Sequence, residues 1–300
     1  MSLDSHRPIY LAGPTGCGKS AVAVELAERI GGEIVNADAF QIYQELRILT
    51  ARPSESDEAR VPHHLYGVVP AAENCAAARF AEIAQPVIEE ITNRSVIPIV
   101  VSGSGLYLKA LTHGLDDAPA SDPEIRAELD QLDLEQLLAR LIELDPASAE
   151  RIDSKNRRYV QRAVEISLIS GRPASAAREA WKTDDPGLRG ALLTRERENL
   201  YERINERTAE MLENGAIEEV AAVEAWSETS EKAIGAREIR SHLKGEIDLE
   251  TCVTQIQQST RRFAKRQMTW FQRERWLTKQ AIEQNPASVA DQLAAKFSAE

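Results

Sequence analysis

A glycine-rich segment near the start of the chain constrains the fold more than any other feature. It matches the phosphate-binding pattern G-x-x-x-x-G-K-[ST] at every fixed position. The apolar run Ile9–Ala12 before it predicts a strand, and the apolar spacing over 21–30 after it predicts a helix. A strand, this loop and a helix in that order are typical of an α/β fold with a parallel sheet. The eight residues of the segment are Gly13, Pro14, Thr15, Gly16, Cys17, Gly18, Lys19 and Ser20.

The same segment predicts a binding site for a diphosphate or a triphosphate. Its glycines let consecutive backbone N–H groups turn towards an anion, and the helix N-terminus adds a partial positive charge. Lys19 would reach the terminal phosphates, and the Ser20 hydroxyl would ligate Mg²⁺. The alternative is a glycine-rich strand–helix turn that binds nothing, and the complete strand–loop–helix context disfavours it.

The composition fits a globular protein of one large domain or two smaller ones. Hydrophobic residues make up 43% of the 300, enough for a substantial core, and no long tract is biased enough to predict disorder. No run resembles a membrane span, and the polar start, Met1 to Pro8, does not resemble a signal peptide. The three cysteines have neither metal-site nor disulfide spacing, so we expect a cytoplasmic protein.

The net charge of −12 argues against non-specific binding of nucleic acid, but two local stretches are basic. One runs from Lys155 to Arg172 and the other from Arg261 to Arg275. The second interleaves Phe263, Trp270 and Phe271 with its arginines, a mixture that suits phosphates and stacked bases. It also fits an amphipathic helix whose aromatic rings face the core, and the sequence leaves both interpretations open.

Alternating strand and helix signals predict a parallel α/β core with a helical insertion. The strand signals stop at about Asp122 and return at Gly190. We therefore expect a phosphate-loop sheet with flanking and C-terminal helices from residues 1–115 and 188–300, and an all-helical insertion domain from 116–187. The further predicted strands are Glu33–Asp38, Leu65–Val69, Val96–Val101 and Gly190–Thr194, and the predicted helices are Ala76–Arg94, Pro123–Leu144, Asn156–Ser170, Asn199–Asn214, Ile217–Trp226 and Leu249–Trp276.

Active sites in such sheets lie beyond the carboxyl ends of the strands, so Asp38 and residues 102–105 are expected beside the phosphate loop. Phosphoryl-transfer enzymes with this loop usually hold Mg²⁺ with an aspartate after a second strand. Here the strand that ends at Val101 is followed by Ser102, and Asp38 is the carboxylate well placed at a strand end. The alternative role for Asp38 is a helix cap or a turn.

Several short blocks, taken in order, resemble the tRNA dimethylallyltransferase family from about residue 8 to residue 275. Each block alone is modest, but their order is highly specific, and a length near 300 without a zinc-finger tail resembles the bacterial form. The blocks are Gly13–Ser20, Ala37–Tyr43, Thr50–Pro53, Val61–Leu65, Gly103–Leu108, Asp145–Pro146, Arg162–Glu165, Gly171–Pro173, Arg203–Arg207, Met211–Leu212 and Thr260–Phe271.

The resemblance implies transfer of a dimethylallyl group from dimethylallyl diphosphate to N6 of a tRNA adenosine. The adenosine would be the one immediately 3′ of the anticodon, in tRNAs that read codons starting with U. Dimethylallyl diphosphate would occupy the phosphate loop, with Mg²⁺ bound through Ser20 and with Lys19 and Arg207 stabilising the departing diphosphate. Asp38 would accept the proton of the attacking amine, and the adenine would have to leave its stack.

The resemblance also implies which residues contact the anticodon stem-loop of tRNA. They fall in short segments that include both basic stretches and the helical insertion. We expect a monomer, since nothing in the sequence resembles a dimer seam. The implied tRNA contacts are Asp38, Ala39, Phe40, Gln41, Ser104, Arg126, Arg158, Tyr159, Val160, Gln161, Arg162, Lys232, Gly235, Arg237, Arg266, Gln267, Thr269, Trp270 and Arg273.

The sequence departs from the family pattern in a few places. Ser102 and Ser104 stand in the usual Gly-Gly-Thr-Gly-Leu-Tyr block, and Ala236 replaces an aromatic residue expected near the tRNA surface.

Two other classes of protein stay open. One is a nucleoside or nucleotide kinase, which would use the helical insertion as a lid, but this sequence has no aspartate after Val101 to hold Mg²⁺. The other is a nucleotide-dependent switch protein, but this sequence lacks the Asn-Lys-x-Asp motif that would specify guanine.

Overall fold

One parallel sheet organises the structure, a computed structural model that describes residues 6–114, 119, 121–176, 187–283 and 285–299. Its strands are β1 (Ile9–Ala12), β2 (Gly32–Asn36), β3 (His63–His64), β4 (Ile97–Ser102), β5 (Arg189–Thr194) and β6 (Thr278–Ala281). They lie in the order β3-β2-β4-β1-β5-β6, and every neighbouring pair is parallel. The predicted class, a phosphate-loop α/β fold with a parallel sheet, is confirmed.

The helices follow the strands in alternation at first and then dominate the second half of the chain. They are α1 (Lys19–Ile30), α2 (Glu55–Arg60), α3 (Ala77–Asn93), α4 (Gly105–His113), α5 (Pro123–Asp130), α6 (Leu134–Leu144), α7 (Pro146–Arg151), α8 (Arg157–Ser170), α9 (Arg197–Glu213), α10 (Ala216–Ala221), α11 (Ala236–Leu243), α12 (Leu249–Phe271) and α13 (Pro286–Ala299). Among the described residues, no helix is both long enough and apolar enough to cross a membrane.

Strand side chains alternate between two apolar layers, because successive residues of a strand point to opposite faces. Leu11 and Ile99 belong to the layer that contains the buried residues of α1, while Tyr10 and Val100 belong to the layer that contains Phe80 of α3. Both faces of the sheet are therefore buried, which explains why the strands read as continuous apolar runs. Loops at the carboxyl ends of β1, β2 and β4 then carry the polar residues.

The chain divides into two compact units. The larger comprises Met1–Thr112 with Asp185–Glu300 and contains the sheet; the smaller comprises His113–Asp184. Within the smaller unit, the described stretch 121–176 contains helices α5 to α8 and no strand. Its core is a separate apolar cluster that includes Leu137, Leu141, Val160 and Val164. The predicted boundary at 115–116 lies outside the described residues.

Several predicted elements end at different residues from those expected. The predicted strand Leu65–Val69 is wrong, because Leu65 and Gly67 adopt positive φ values of 65° and 61° and break the extended run; a two-residue strand precedes it. The predicted helix Pro123–Leu144 is two helices, since Asp133 forms a capping box with Gln136 that starts α6.

Two other helices are shorter than predicted, and β2 ends earlier. Helix α10 ends at Ala221 rather than Trp226, and α12 ends at Phe271 rather than Trp276. Strand β2 stops at Asn36, so Asp38 lies two residues beyond the strand instead of closing it. Strand β6 and helix α13 carried no recognised sequence signal, and both pack on elements of the larger unit.

Candidate active site

A cavity of about 500 Å³ lies beside the phosphate loop, entirely within the larger unit. The phosphate loop, residues 38–41, helix α9 and helix α12 all contribute to its lining. Further lining comes from the second half of residues 46–52, which we call the wall loop, from the start of α2, and from Val101, Gly103 and Ile234. This space, the loop cavity, collects the sites that the sequence predicted at the carboxyl edge of the sheet.

The phosphate loop has the backbone that its glycines permit. Gly16 and Gly18 adopt φ values of 81° and 102°, in the left-handed region that favours glycine, and Gly18 directly precedes α1. The Lys19 ammonium group donates to the Pro14 carbonyl at 3.0 Å, which holds the lysine over the loop. Ser20, in the first turn of α1, is exposed and lines the loop cavity. These are the features of an anion-binding helix N-terminus.

Three arginines surround this loop. Arg207 Nη2 donates to the Thr15 hydroxyl at 2.7 Å, Arg203 Nε to the Gly16 carbonyl at 3.1 Å, and Arg195 Nε to the Cys17 carbonyl at 3.1 Å. Burial lowers the pKa of Arg207, and the nearby Asp38 carboxylate acts in the opposite direction. The guanidinium keeps its charge at neutral pH. The cavity therefore combines N–H donors with arginine and lysine charges.

Arg203 and Arg195 were not among the predicted site residues. Arg203 lies four positions before Arg207 on α9, so both fall on one face of the helix. Arg195 follows directly after the carboxyl end of β5, the edge where such sheets bind ligands. Helical spacing and strand position were the sequence signals that could have identified them.

Asp38 uses its two carboxylate oxygens differently. Oδ1 accepts a hydrogen bond from the Phe40 N–H at 2.9 Å, and the Asp38 N–H donates to Asn36 Oδ1 at 2.9 Å. Oδ2 lies against Gly103, where a Cβ atom would collide with it, and accepts no hydrogen bond from the described residues. The turn role and the proton-acceptor role considered for Asp38 are thus compatible, because each uses a separate oxygen.

Gln267 links the phosphate loop to the residue beside Asp38. Its side chain, 5% exposed, accepts from the Thr15 N–H at 2.8 Å and donates to the Gly103 carbonyl at 2.6 Å. The family resemblance grouped Gln267 with tRNA contacts, but its side chain is turned into the protein. Phe271 is fully buried in the core, whereas Trp270 is partly buried and packs against Gly105, where even a Cβ would clash.

The wall loop is held by one distant side chain, Glu219, and by one nearby in the chain, Gln41. The Glu219 carboxylate of α10 accepts from the Ile48 and Leu49 N–H groups at 2.7 and 2.8 Å. Gln41 Nε2 donates to the Thr50 and Ala51 carbonyls at 3.0 and 2.9 Å. Gln41 therefore shapes the lining of the cavity, in addition to any contact with a ligand.

Three of the predicted tRNA contacts in the larger unit, Lys232, Arg237 and Arg266, line a second groove, which we call the basic groove. This groove of about 560 Å³ is also lined by Arg240 and Arg262, and by the carboxylates of Glu231 and Glu238. Arg240 and Arg262 were not predicted. Of the remaining predicted contacts, Ala39, Phe40, Thr269 and Arg273 are partly or fully exposed, Ser104 caps α4 through a bond to the Tyr107 N–H, and Gly235 precedes α11.

Two of the departures from the family pattern, Ser102 and Ala236, prove to be interior positions. The Ser102 hydroxyl donates to the Ala37 and Ser104 carbonyls at 3.2 and 3.0 Å, and Ala236 is fully buried at the start of α11. An aromatic ring at position 236 would therefore face the interior in this structure. Neither Ser102 nor Ala236 lines the loop cavity.

The predicted contacts in the smaller unit divide into exposed and internal side chains. Arg158 is exposed and Tyr159 is 54% exposed, so the two adjacent residues offer a charge and a ring to solvent. Val160 is fully buried in the core of the unit. Arg162 donates to Glu165 Oε2 at 2.7 Å. The others also have polar partners: Gln161 donates to Asp130, and Arg126 lies 3.7 Å from Glu165.

The described residues offer little to a metal ion on their own. No group of three or more histidine, cysteine, aspartate or glutamate side chains among them could hold one. The exposed Ser20 hydroxyl at the loop cavity is suited to a Mg²⁺ ion that takes its other ligands from phosphate oxygens and water. Mg²⁺ commonly binds in this way, because it dehydrates reluctantly.

Comparisons with known proteins agree over nearly the whole chain. Family models described as IPP transferase and isopentenyl transferase match residues 41–274 and 8–63. The chain is 47% identical to a tRNA dimethylallyltransferase of Akkermansia muciniphila, with 94% of each chain covered. It is 46% identical to tRNA dimethylallyltransferase 1 of Citrifermentans bemidjiense, with 89% of each covered.

Solved structures give the same result. The tRNA isopentenylpyrophosphate transferase of Bacillus halodurans aligns with a TM-score of 0.70 at 30% identity, covering 97% of each chain. A eukaryotic dimethylallyltransferase described as acting on tRNA aligns with a TM-score of 0.79 at 27% identity, covering 97% of this chain and 77% of that one.

Proposed function

We propose that this chain, which belongs to the IPP transferase family, transfers a dimethylallyl group from dimethylallyl diphosphate to N6 of a tRNA adenosine. The acceptor is the adenosine immediately 3′ of the anticodon in tRNAs that read codons starting with U, and diphosphate is released. One observation carries the proposal: a single cavity is lined by a phosphate cradle and by Asp38, whose Oδ2 has no hydrogen-bond partner among the described residues.

The donor would bind through its diphosphate. The phosphate-loop N–H groups, Lys19 and Arg207 provide positive charge where negative charge grows as the carbon–oxygen bond breaks. The diphosphate-binding residues are those of the loop, Gly13 to Ser20, with Arg207. A Mg²⁺ ion held by Ser20 and the diphosphate oxygens would add further stabilisation of the leaving group.

The acceptor would react as follows. The N6 amine attacks the first carbon of the dimethylallyl group, and the bond from that carbon to the diphosphate oxygen breaks, with its electron pair leaving on diphosphate. The amine proton passes to Asp38 Oδ2, which points away from the turn that Oδ1 stabilises. The lone pair of N6 is delocalised into the ring, so a carboxylate that accepts the proton assists the attack.

Recognition of tRNA would be local, which is compatible with a net charge of −12. The target base has to leave its stack to reach a cavity of this kind. The basic groove on α11 and α12 and the exposed pair Arg158 and Tyr159 offer charge to the phosphate backbone and a ring to a base. We infer that the helical unit contacts the anticodon stem-loop, and that the enzyme acts as a monomer in the cytoplasm.

A kinase reaction suits the site less well. Strand β4 ends at Ser102, whose hydroxyl is engaged with two backbone carbonyls, and no carboxylate takes the usual metal-binding place at that strand end. The phosphate loop alone would serve either reaction, so the donor must be tested directly.

The test offers the purified protein unmodified tRNA with labelled dimethylallyl diphosphate or with labelled ATP, in the presence of Mg²⁺. We expect label in the tRNA from dimethylallyl diphosphate alone, and its loss when the acceptor adenosine is replaced by guanosine. Lys19→Ala serves as the matched control for the phosphate loop. Phosphoryl transfer from ATP, or no transfer from dimethylallyl diphosphate, would overturn the proposal.

A further inference from the structure

Gln267 occupies an unexpected place on its helix. The buried face of α12 follows a helical repeat through Ile256, Thr260, Ala264, Gln267 and Phe271. Glutamine is seldom buried, because a primary amide loses its bonds to water unless the protein replaces them. Its 5% exposure therefore calls for partners of its own, and the structure supplies two.

Those two partners fix the orientation of the Gln267 amide. The Thr15 N–H can only donate and the Gly103 carbonyl can only accept, so Oε1 must face Thr15 and Nε2 must face Gly103. Aspartate, glutamate or an apolar side chain could not make both bonds at neutral pH. The geometry thus requires an uncharged side chain with one donor and one acceptor at this length.

The two partners lie at opposite ends of the proposed site, one beside the leaving group and the other beside the proposed base. Thr15 is part of the phosphate loop, and its hydroxyl also receives the 2.7 Å bond from Arg207. Gly103 lies directly beneath Asp38 Oδ2, with no room for a side chain between them. A single side chain therefore connects the residue that would hold the leaving group with the residue that supports the proposed base.

We propose that Gln267 is a positioning residue that sets the distance between the departing diphosphate and the Asp38 carboxylate. The inference rests on the proposed function and deepens it. Displacement at carbon requires the attacking amine, the reacting carbon and the leaving oxygen to lie in line, so the two ends of the site must keep a fixed separation. Gln267 acts through Thr15 and Gly103, and its removal lowers the rate of the chemical step more than the affinity for either substrate.

The decisive variant is Gln267→Glu, which retains the size and shape of the side chain. Its second oxygen would face the Gly103 carbonyl, so two acceptors would repel each other until the carboxyl group is protonated. Burial at this position would raise the pKa of the introduced carboxyl group, and its protonated form could donate to the Gly103 carbonyl. We expect the single-turnover rate at pH 8–9 to fall by about 10- to 100-fold, the usual cost of a misplaced reacting group.

The pH dependence distinguishes positioning from a structural role. The rate of Gln267→Glu relative to wild type should recover as the pH is lowered from 9 to 6, since protonation restores the missing donor. Taking the ratio at each pH removes the contribution of Asp38 itself. Gln267→Met, which makes neither bond at any pH, should show the same loss without recovery. Gln255→Met, at an exposed position on the same helix, is the matched control and should behave as wild type.

Binding and folding are measured on the same proteins. The dissociation constants for tRNA and for diphosphate should stay within about threefold of wild type, with melting temperatures recorded for each variant. A loss of tRNA affinity with a normal single-turnover rate would overturn the proposal in favour of direct tRNA contact. Equal losses in both variants at every pH, or normal rates in both, would overturn it as well. Wild-type protein that transfers no dimethylallyl group would instead contradict the proposed function.

Discussion

The phosphate loop and the wall loop line the same cavity, but the chain specifies them in different ways. The phosphate loop is built from eight consecutive residues whose glycines allow positive φ values at Gly16 and Gly18. The wall loop has no such pattern and is held by Glu219, some 170 residues further along the chain. The backbone shape of the phosphate loop is therefore specified by its own residues, whereas the wall loop depends on a residue that only the completed fold brings close.

The largest effect is expected at Asp38, the proposed proton acceptor, where a substitution should slow the reaction more than it weakens binding. Asp38→Asn keeps the size of the side chain and the acceptor for the Phe40 N–H, but removes the proton acceptor. We expect the single-turnover rate to fall by roughly 10²- to 10⁴-fold, the usual range for loss of a general base, with a smaller change in tRNA affinity. Rapid-quench transfer assays at several Mg²⁺ concentrations measure this.

Two other results would assign Asp38 a different role. A defect that diminishes as Mg²⁺ is raised would make it a metal ligand. A loss of about 1 kcal/mol in the free energy of unfolding with a near-normal rate would make it only a turn residue.

The next largest effect is expected in the phosphate loop, at Lys19. Lys19→Ala removes one charge that the phosphate loop offers to the leaving group. Loss of one charge-assisted bond weakens diphosphate binding by about 1.5–3 kcal/mol and slows transfer, while tRNA affinity should stay unchanged. Calorimetric titration with diphosphate measures the change. Equal diphosphate affinity in wild type and variant would remove Lys19 from the donor site.

A smaller effect is expected when the distant support of the wall loop is weakened. Glu219→Gln leaves one acceptor where the Ile48 and Leu49 N–H groups now have two. We expect a loss of about 1 kcal/mol in the free energy of unfolding and a raised KM for tRNA, with diphosphate affinity unchanged. Glu218→Gln, at the exposed neighbouring position, is the control. A fall in diphosphate affinity would instead show that the wall loop and the phosphate loop are coupled rather than independent.

The smallest effect is expected on stability, at Glu33, which does not line the loop cavity. Bonds from Arg94 and then His64 hold the pKa of the Glu33 carboxyl group, on β2, below its usual range. A carboxyl group with a lowered pKa in the folded state stabilises it above the unfolded pKa of about 4.3, and that stabilisation is lost as the pH falls. Glu33→Gln should lower the melting temperature by about 2–4 °C at pH 7.

That difference should hold down to about pH 5 and narrow as the pH falls through about 4.3 and below, while transfer activity at pH 7 and low temperature stays as in wild type. Melting curves across this range measure it. A constant difference at every pH would show that Glu33 contributes through packing rather than charge.

Local patterns predicted what depends on neighbouring residues. Strand β1, the loop and helix α1 follow from apolar spacing and from glycines that permit left-handed backbone, and their predicted limits are within two residues of the observed ones. The family blocks identified Asp38, Lys19 and Arg207, and the structure brings all three to one cavity. The apolar pattern failed for the predicted strand Leu65–Val69. Leu65 and Gly67 adopt positive φ values there, which an apolar run does not reveal and which prevent an extended strand.

Short segments of the chain are enough to identify the fold class, the phosphate-binding loop and the family, because their residue types have few other uses. Which groups meet across the cavity depends on how the distant segments pack. The tertiary structure paired Thr15 with Gln267, Asp38 with Gly103, and the wall loop with Glu219. These pairings join residues far apart in the chain, and no local periodicity encodes them, because they arise only when buried polar groups must find partners in the packed molecule.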